Sequence, residues 1–254
     1  MKNAYSGFIV CAAIALCTPC HAAELPEDEL LSAARESREA PSVRGVDSEL
    51  ERRALATAGN YAFRNADGLV LSLNGRTAVF TDNPECEQDP EDKYGNKDYR
   101  HCGTYKLLAF SKIRDLFVLQ QFFDKVTSYL VVDRHGLRDT QFGELPSLSP
   151  SGDFAVGVNY SQVYGEYKQY PNPHLEISER DGQYHVGWAG APHYPKKGAA
   201  RYVVDGWRND DISVARDQRA VELDVHLEVD GKTTARFKVT RVPDADYKVT
   251  DVPQ

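Results

Sequence analysis

Short turn signals recur along the chain from Tyr61 onward, each set between runs rich in β-branched and aromatic residues. "GLVLSLNGRTAVF" carries Asn74-Gly75 between two such runs, the strongest short-range cue for a hairpin. "GTYKLLAF" leads into "DLFVLQQFF", and "SYLVVDRHGLRDTQF" turns at Arg134-His135-Gly136. "PSLSPSGDFAVGV" turns at Ser151-Gly152, "LEISERDGQYHVGW" at Asp181-Gly182, and "VELDVHLEVDGKTTARFKV" at Asp230-Gly231. In the last of these, Val221, Leu223, Val225 and Leu227 alternate with Glu222, Asp224, His226 and Glu228, the signature of a half-solvated antiparallel strand. No helical pattern interrupts the series, so the expected fold class is all-β and antiparallel. At about 40–45 residues per blade the spacing allows roughly four propeller-like units. A β-sandwich fits the same turns, because periodicity does not fix topology.

Helical patterning is confined to residues 24–58. In "PEDELLSAARESREA" Leu30, Leu31 and Ala34 share a side, with Glu27, Asp28 and Glu29 in the first turn, where the helix dipole favours anions. In "VDSELERRALATAG" Asp47 or Ser48 offers an N-cap, Leu50, Ala54 and Leu55 follow at helical spacing, and Gly59 is a stop. The first segment reads as a loose arm and the second as packed on the domain. Before them, Lys2, the apolar run Phe8–Leu16 and the small pair Ala22-Ala23 have the order of a secretory signal peptide. The run is about half the length that spans a bilayer, so no stable membrane anchor is expected. The expected organisation is a signal peptide over 1–22, an N-terminal helical arm over 23–58 and a β domain over 59–254. Export through the Sec route to the periplasm follows.

Cleavage removes three of the five cysteines and leaves Cys86 and Cys102. Two cysteines across a polar loop in an oxidising compartment are expected to form a disulfide, which closes a loop stabilising by about 3 kcal/mol. Cys17 follows Leu16 and Cys20 follows Pro19, whereas lipid attachment needs a small residue there. The formal net charge is −8, with no run of Lys or Arg, which argues against nucleic acid as a partner. It suits encounter with something cationic.

Catalytic motifs are missing from the sequence: there is no GxSxG elbow, P-loop, HExxH helix or GxGxxG turn. Ser149 and Ser151 beside Gly152 sit in a hairpin turn, where serine usually bonds the local backbone. No two of His101, His135, His174, His185, His193 and His226 stand at metal-ligand spacing, and each reads as a surface or rim residue. "NPECEQDPEDKYGNKDYRHC" is acidic enough to raise calcium, but Tyr94 occupies the position before Gly95 where an EF-hand needs an oxygen ligand. A solvated loop is the simpler reading, and no cofactor is expected. One segment stands out. "VNYSQVYGEYKQYPNP" places Tyr160, Tyr164, Tyr167 and Tyr170 among Ser, Gly and Asn in a long connection, the composition of binding loops. The alternative is that two of these tyrosines cap the core.

The stretch Tyr129–Ser178, "YLVVDRHGLRDTQFGELPSLSPSGDFAVGV…YPNPHLEIS", resembles a small exported family. In that family a strand ending in Asp or Asn-Arg precedes a "P-x-x-SPDG-x-x-x-A" hairpin, then a "YNPN"-like loop and a further strand. These are incomplete propeller-like proteins of the bacterial envelope, among them relatives of i-type lysozyme inhibitors and immunity proteins against secreted peptidoglycan-hydrolase effectors. Here Ser151 stands where Asp is usual, and Pro173 follows Asn172 where the family continues toward Gly. The resemblance implies a non-enzymatic periplasmic inhibitor whose partner is a cell-wall hydrolase. Tyr160, Tyr164, Tyr167 and Tyr170 would be its anchors, with Ser149, Ser151 and Gly152 as a second contact. The competing expectations are an envelope protein without a toxin partner, structural or ligand-binding, and a small carbohydrate hydrolase.

Overall fold

The computed structural model describes residues 26–36, 49–83, 103–123, 126–135, 139–161, 172–180, 200–241 and 247–253. Two helices, α1 (Pro26–Glu36) and α2 (Glu49–Ala58), precede the strands. The first sheet is β1 (Ala62–Arg64), β2 (Gly68–Leu73) and β3 (Arg76–Thr81). The second is β4 (Thr104–Ser111), β5 (Leu116–Phe123), β6 (Val126–Asp133) and β7 (Asp139–Phe142). The third is β8 (Ser147–Leu148), β9 (Phe154–Ser161) and β10 (Asn172–Glu179). The fourth is β11 (Ala200–Arg208), β12 (Glu222–Val229), β13 (Lys232–Arg241) and β14 (Tyr247–Asp251). Each is an antiparallel meander whose strands pair in chain order, so the protein is mostly antiparallel β. Among the described residues no sheet closes on itself.

Turn chemistry explains the reversals. Asp230 (φ +50°) and Gly231 (φ +76°) are both left-handed, the primed turn whose twist matches that of its flanking strands. The alternation before it holds: Val221, Leu223, Val225 and Leu227 are buried, while Glu222, Asp224 and Glu228 are only partly covered.

One backbone bond recurs in all four sheets. The amide of the residue just past the third strand, or in the fourth sheet of that strand's last residue, donates to the carbonyl of the residue just before the second. The pairs are Asp82 to Asp67 (3.2 Å), Arg134 to Asp115 (3.2 Å), Arg180 to Asp153 (2.9 Å) and Arg241 to Val221 (2.8 Å). Each sheet is therefore the same unit, fixed at one end by the same bond. In the last three sheets that end carries an arginine, and we call it the arginine end; the opposite is the hairpin end. The arginine ends of the second, third and fourth sheets lie together, since Arg180 reaches Asp133 and Arg241 reaches Glu179. The first sheet runs the other way. Its hairpin turn at Asn74 bonds Arg134, while Asn83 at its other end bridges to Gly103, at the start of β4.

Two cores fill the gaps. One joins α1, α2 and the first two sheets through Leu30, Leu31, Ala54, Leu69, Leu71, Leu107 and Phe117. The other joins the third and fourth sheets through Val156, Val158, Leu175, Ile177, Val225 and Phe237. β9 is the shared wall. Its large residues Val156 and Val158 face the second core, while Ala155 faces the first. The face shared by Ala155 and Gly157 must be small, because a Cβ on Gly157 would stand 2.5 Å from the Phe142 ring.

α1, expected as a loose arm, is docked: Leu30 and Leu31 are buried in the same core as Ala54 and Ala58. The boundary expected at residue 58 thus crosses a single core. The inward face of α2 is Glu51, Ala54 and Ala58 at helical spacing, with Leu55 packed beside them. A buried glutamate is tolerated because its Oε1 accepts from Leu107 N (3.1 Å) and from Arg64 Nη2 (2.8 Å). Leu107 borders a register shift in the pairing of β4 with β5, so Glu51 satisfies an amide beside a bulge. Burial alone would lower the Arg64 guanidinium, but hydrogen bonds and charge from Glu51 and Asp82 outweigh it and hold it above its ordinary value.

Candidate functional site

The β9–β10 hairpin is the scaffold of the tyrosine segment. Its strands pair without a slip across eight positions, from Phe154↔Glu179 to Ser161↔Asn172. Tyr160 lies on β9 opposite Pro173, so that proline stands inside a strand at the very position where the sequence departs from the resembled motif. Tyr164, Tyr167 and Tyr170 lie outside the described residues, as do Cys86, Cys102 and the acidic loop weighed for calcium. The connection they occupy leaves from the hairpin end of the sheet.

Ser149, Ser151 and Gly152 are at the other end. β9 separates them from the tyrosine segment by eight extended residues, about 25 Å at 3.3 Å per residue. Ser149 is fully buried, and its Oγ accepts from the Phe154 amide (3.2 Å) and contacts Ser151 Oγ (3.2 Å). Ser151 Oγ accepts from the Asp153 amide at 3.0 Å. Gly152 is left-handed (φ +77°), and a Cβ there would stand 2.5 Å from Arg114 Cβ. The turn is shaped by its own backbone bonds and packed beneath Arg114.

Around this turn the arginine ends are stapled by ion pairs. Arg180 Nε lies 2.5 Å from Asp133 Oδ2, and its Nη2 donates to the Arg114 carbonyl. Arg219 Nη1 donates to Asp153 Oδ2 (2.6 Å) and Asp210 Oδ1 (3.1 Å), while Asp210 Oδ2 accepts the Ser151 amide (2.7 Å). Arg241 holds Glu179 with two nitrogens, at 2.9 and 3.2 Å, and its guanidinium stands 5.6 Å over the Phe154 ring. Arg134 Nη1 donates to Asp115 (2.6 Å), and its guanidinium lies 4.4 Å over the Tyr61 ring. The pairs made by Arg180, Arg219 and Arg241 join sheets to one another, while Arg134–Asp115 lies within the second sheet. The motif behind them was visible as "VVDR", "ISER" and "VTR", an arginine at or one step past the end of each third strand, but nothing local said that the three were equivalent.

A cavity of about 420 Å³ lies between the second, third and fourth sheets. Its described lining includes Tyr129 of β6, Glu144, Val156 to Val158 of β9, Leu175 of β10 and Tyr202 to Val204 of β11. Tyr202 and Val203 belong to the half of β11 nearer the hairpin end, while Val156 and Gly157 lie in the half of β9 nearer the arginine end, so the cavity stands at mid-sheet. Burial raises the Tyr129 hydroxyl above its ordinary value and the Glu144 charge adds to this, against an opposing hydrogen bond from Gln120.

His226, expected at the surface, is only 8 % exposed. Nδ1 lies 2.8 Å from Asp205 Oδ1 and Nε2 3.3 Å from Glu228 Oε1. A register shift at Val204/Gly206 leaves Asp205 out of the β11 ladder beside it, while Glu228 shares the face of His226 two residues along β12. Among the described residues no group of three or more His, Cys, Asp or Glu is arranged to hold a metal ion, and no helix is long and apolar enough to cross a membrane.

No protein-family model, curated protein or solved structure matches the chain.

Proposed function

We propose that this chain is an exported, non-enzymatic binding protein of the periplasm that inhibits a peptidoglycan hydrolase, as an immunity protein against a secreted effector. The observation that carries the reading is the β9–β10 hairpin. Eight unslipped pairs clamp both ends of a tyrosine-bearing connection, and the strands beneath it are locked between two cores. Holding a loop's ends in one geometry lowers the ordering cost of binding. Tyrosine supplies contact area for two torsions. The acidic balance of the chain favours encounter with a cationic hydrolase.

The hairpin-end residues Tyr160, Tyr164, Tyr167 and Tyr170 are the contact in this reading. Ser149, Ser151 and Gly152 act by holding β9 in place from its far end. We further read the second, third and fourth sheets as blades of an incomplete propeller. The shared orientation of their arginine ends supports this, and the reversed first sheet with its helices covers one flank.

The test is inhibition of a panel of muramidases and amidases by the mature protein. Tyr164→Ala with Tyr167→Ala is expected to lower inhibition by at least tenfold, in the range found for aromatic hot spots of about 2 kcal/mol. Full inhibition by that double variant would take the loop out of the mechanism.

A further inference from the structure

The arginine end carries two apolar tips. Ile113 and Ile212 are 72 % and 75 % exposed, the most exposed large apolar side chains among the described residues. Each stands on a segment that leads into a second strand, at the Asp115 and Val221 carbonyls that mark this end. They flank the Ser149–Gly152 turn. Ile113 precedes Arg114, which packs on Gly152, and Ile212 follows Asp210, whose Oδ2 accepts the Ser151 amide (2.7 Å).

Both tips are held in place. Ser111 Oγ accepts the Arg114 amide (3.0 Å), and Asp115 closes the β4–β5 turn at φ +53°. In the other segment the Asp211 carbonyl accepts the Val214 amide (3.0 Å), and the Val214 carbonyl accepts Arg219 Nε (2.8 Å). Arg219 is itself buried against Asp153 and Asp210. A side chain presented on a fixed backbone gives up less freedom when something covers it. The charges beside the two tips are opposite: exposed Lys112 adjoins Ile113, and exposed Asp211 adjoins Ile212. The Ser213 amide donates to Asp211 Oδ1 (2.9 Å) and holds that carboxyl below its ordinary range, so the anion is kept. A surface of one charge would suit one tip and repel the other. A surface with the same two tips suits both, because a two-fold axis that sets one residue on a second also sets the second on the first.

We propose that two copies of this chain meet through their arginine ends about a two-fold axis, Ile113 against the partner's Ile212 and Lys112 against the partner's Asp211. Each contact then occurs twice, and exposed Val214 widens the apolar area beside Ile212. The hairpin ends of the two copies face away from each other, which leaves the tyrosine connection of each uncovered.

The test is sedimentation equilibrium of the mature protein over a micromolar-to-millimolar series, where a reversible monomer–dimer equilibrium is expected. Lys112→Glu and Asp211→Lys each turn two attractive pairs into repulsive ones, and each should weaken the dimer at least tenfold. Ile113→Ser with Ile212→Ser should weaken it as much by removing the apolar contact. Mixed in equal amounts, the Lys112→Glu and Asp211→Lys proteins should form a heterodimer within a few fold of the wild-type affinity, since every charge then meets its opposite. Near-UV circular dichroism checks that each variant is folded. A wild type that stays monomeric throughout the series overturns the proposal. A dimer that survives either charge reversal overturns it too, as does a mixture that remains monomeric. No hydrolase enters the measurement, so its outcome is independent of the function proposed above.

Discussion

Arg180 and Asp133 meet at 2.5 Å, with the aspartate fully buried, and so tie the end of β10 to the end of β6. The pair joins two sheets that share no strand-to-strand ladder. Asp133 also accepts the His135 amide, at 2.6 Å, so the same carboxylate shapes the turn after its own strand. Arg180→Ala leaves a buried carboxylate facing an emptied site, and breaking such a pair from one side costs about 3–5 kcal/mol. A fall in unfolding free energy of that size, obtained from urea titrations followed by both fluorescence and circular dichroism, is expected. Arg180→Lys should recover little of it, because an ammonium cannot serve Asp133 and the Arg114 carbonyl with the same planar fork.

Gly157 supplies a second test of how the sheets fit. Its missing side chain is the space that Phe142 fills. Gly157→Ala should destabilise by about 1–3 kcal/mol through overpacking. Combined with Phe142→Ala it should cost less than the sum of the two single losses, since that change removes the two Phe142 atoms nearest the new methyl. Additive losses in the double variant would show that the two positions do not compete for space.

The local parts of this fold were legible, and the relations between parts were not. The hairpin at Asp230-Gly231 follows from alternation and one dipeptide, both local, and it is present. The separation of the Ser149–Gly152 turn from Tyr160 was also readable, because "FAVGVNYS" is a strand and strands are long. The reversed first sheet could not be read, since its direction depends on Asn74 meeting Arg134 and Asn83 meeting Gly103, contacts remote in sequence. Glu51 is the same case. Propensity and charge place it outside, and only Arg64 and the Leu107 amide explain why it is inside. The Asp205 partner of His226 stands at a register shift in β11, which alternation cannot show.

Glu51 makes the docking of the helices testable. Glu51→Ala removes the acceptor for Leu107 N and one of the carboxylates that Arg64 pairs with, and leaves that amide unsatisfied in the core. A loss of about 3 kcal/mol is expected. The effect should be local at first, with faster cleavage of residues 26–58 in limited proteolysis while the far sheets stay protected. Uniform cleavage along the chain would mean instead that the helices and sheets unfold as one unit.

Tyr129 gives the protein an alkaline limit whose sign follows from its surroundings. Burial and the Glu144 charge raise its ionisation in the folded state, whereas an unfolded tyrosine titrates near about 10. Below that value both states hold the proton and pH has no effect through this group. Above it the unfolded chain releases the proton first, so stability falls as the pH climbs through the folded value. Phenylalanine at 129 does not titrate, and the other tyrosines are common to both chains. The difference in urea stability between wild type and Tyr129→Phe should therefore be constant up to about pH 9 and should shift in favour of the phenylalanine variant above about pH 10. Parallel stability curves across that interval would place the Tyr129 hydroxyl in contact with bulk water, and the wall of the cavity that it forms would have to be redrawn.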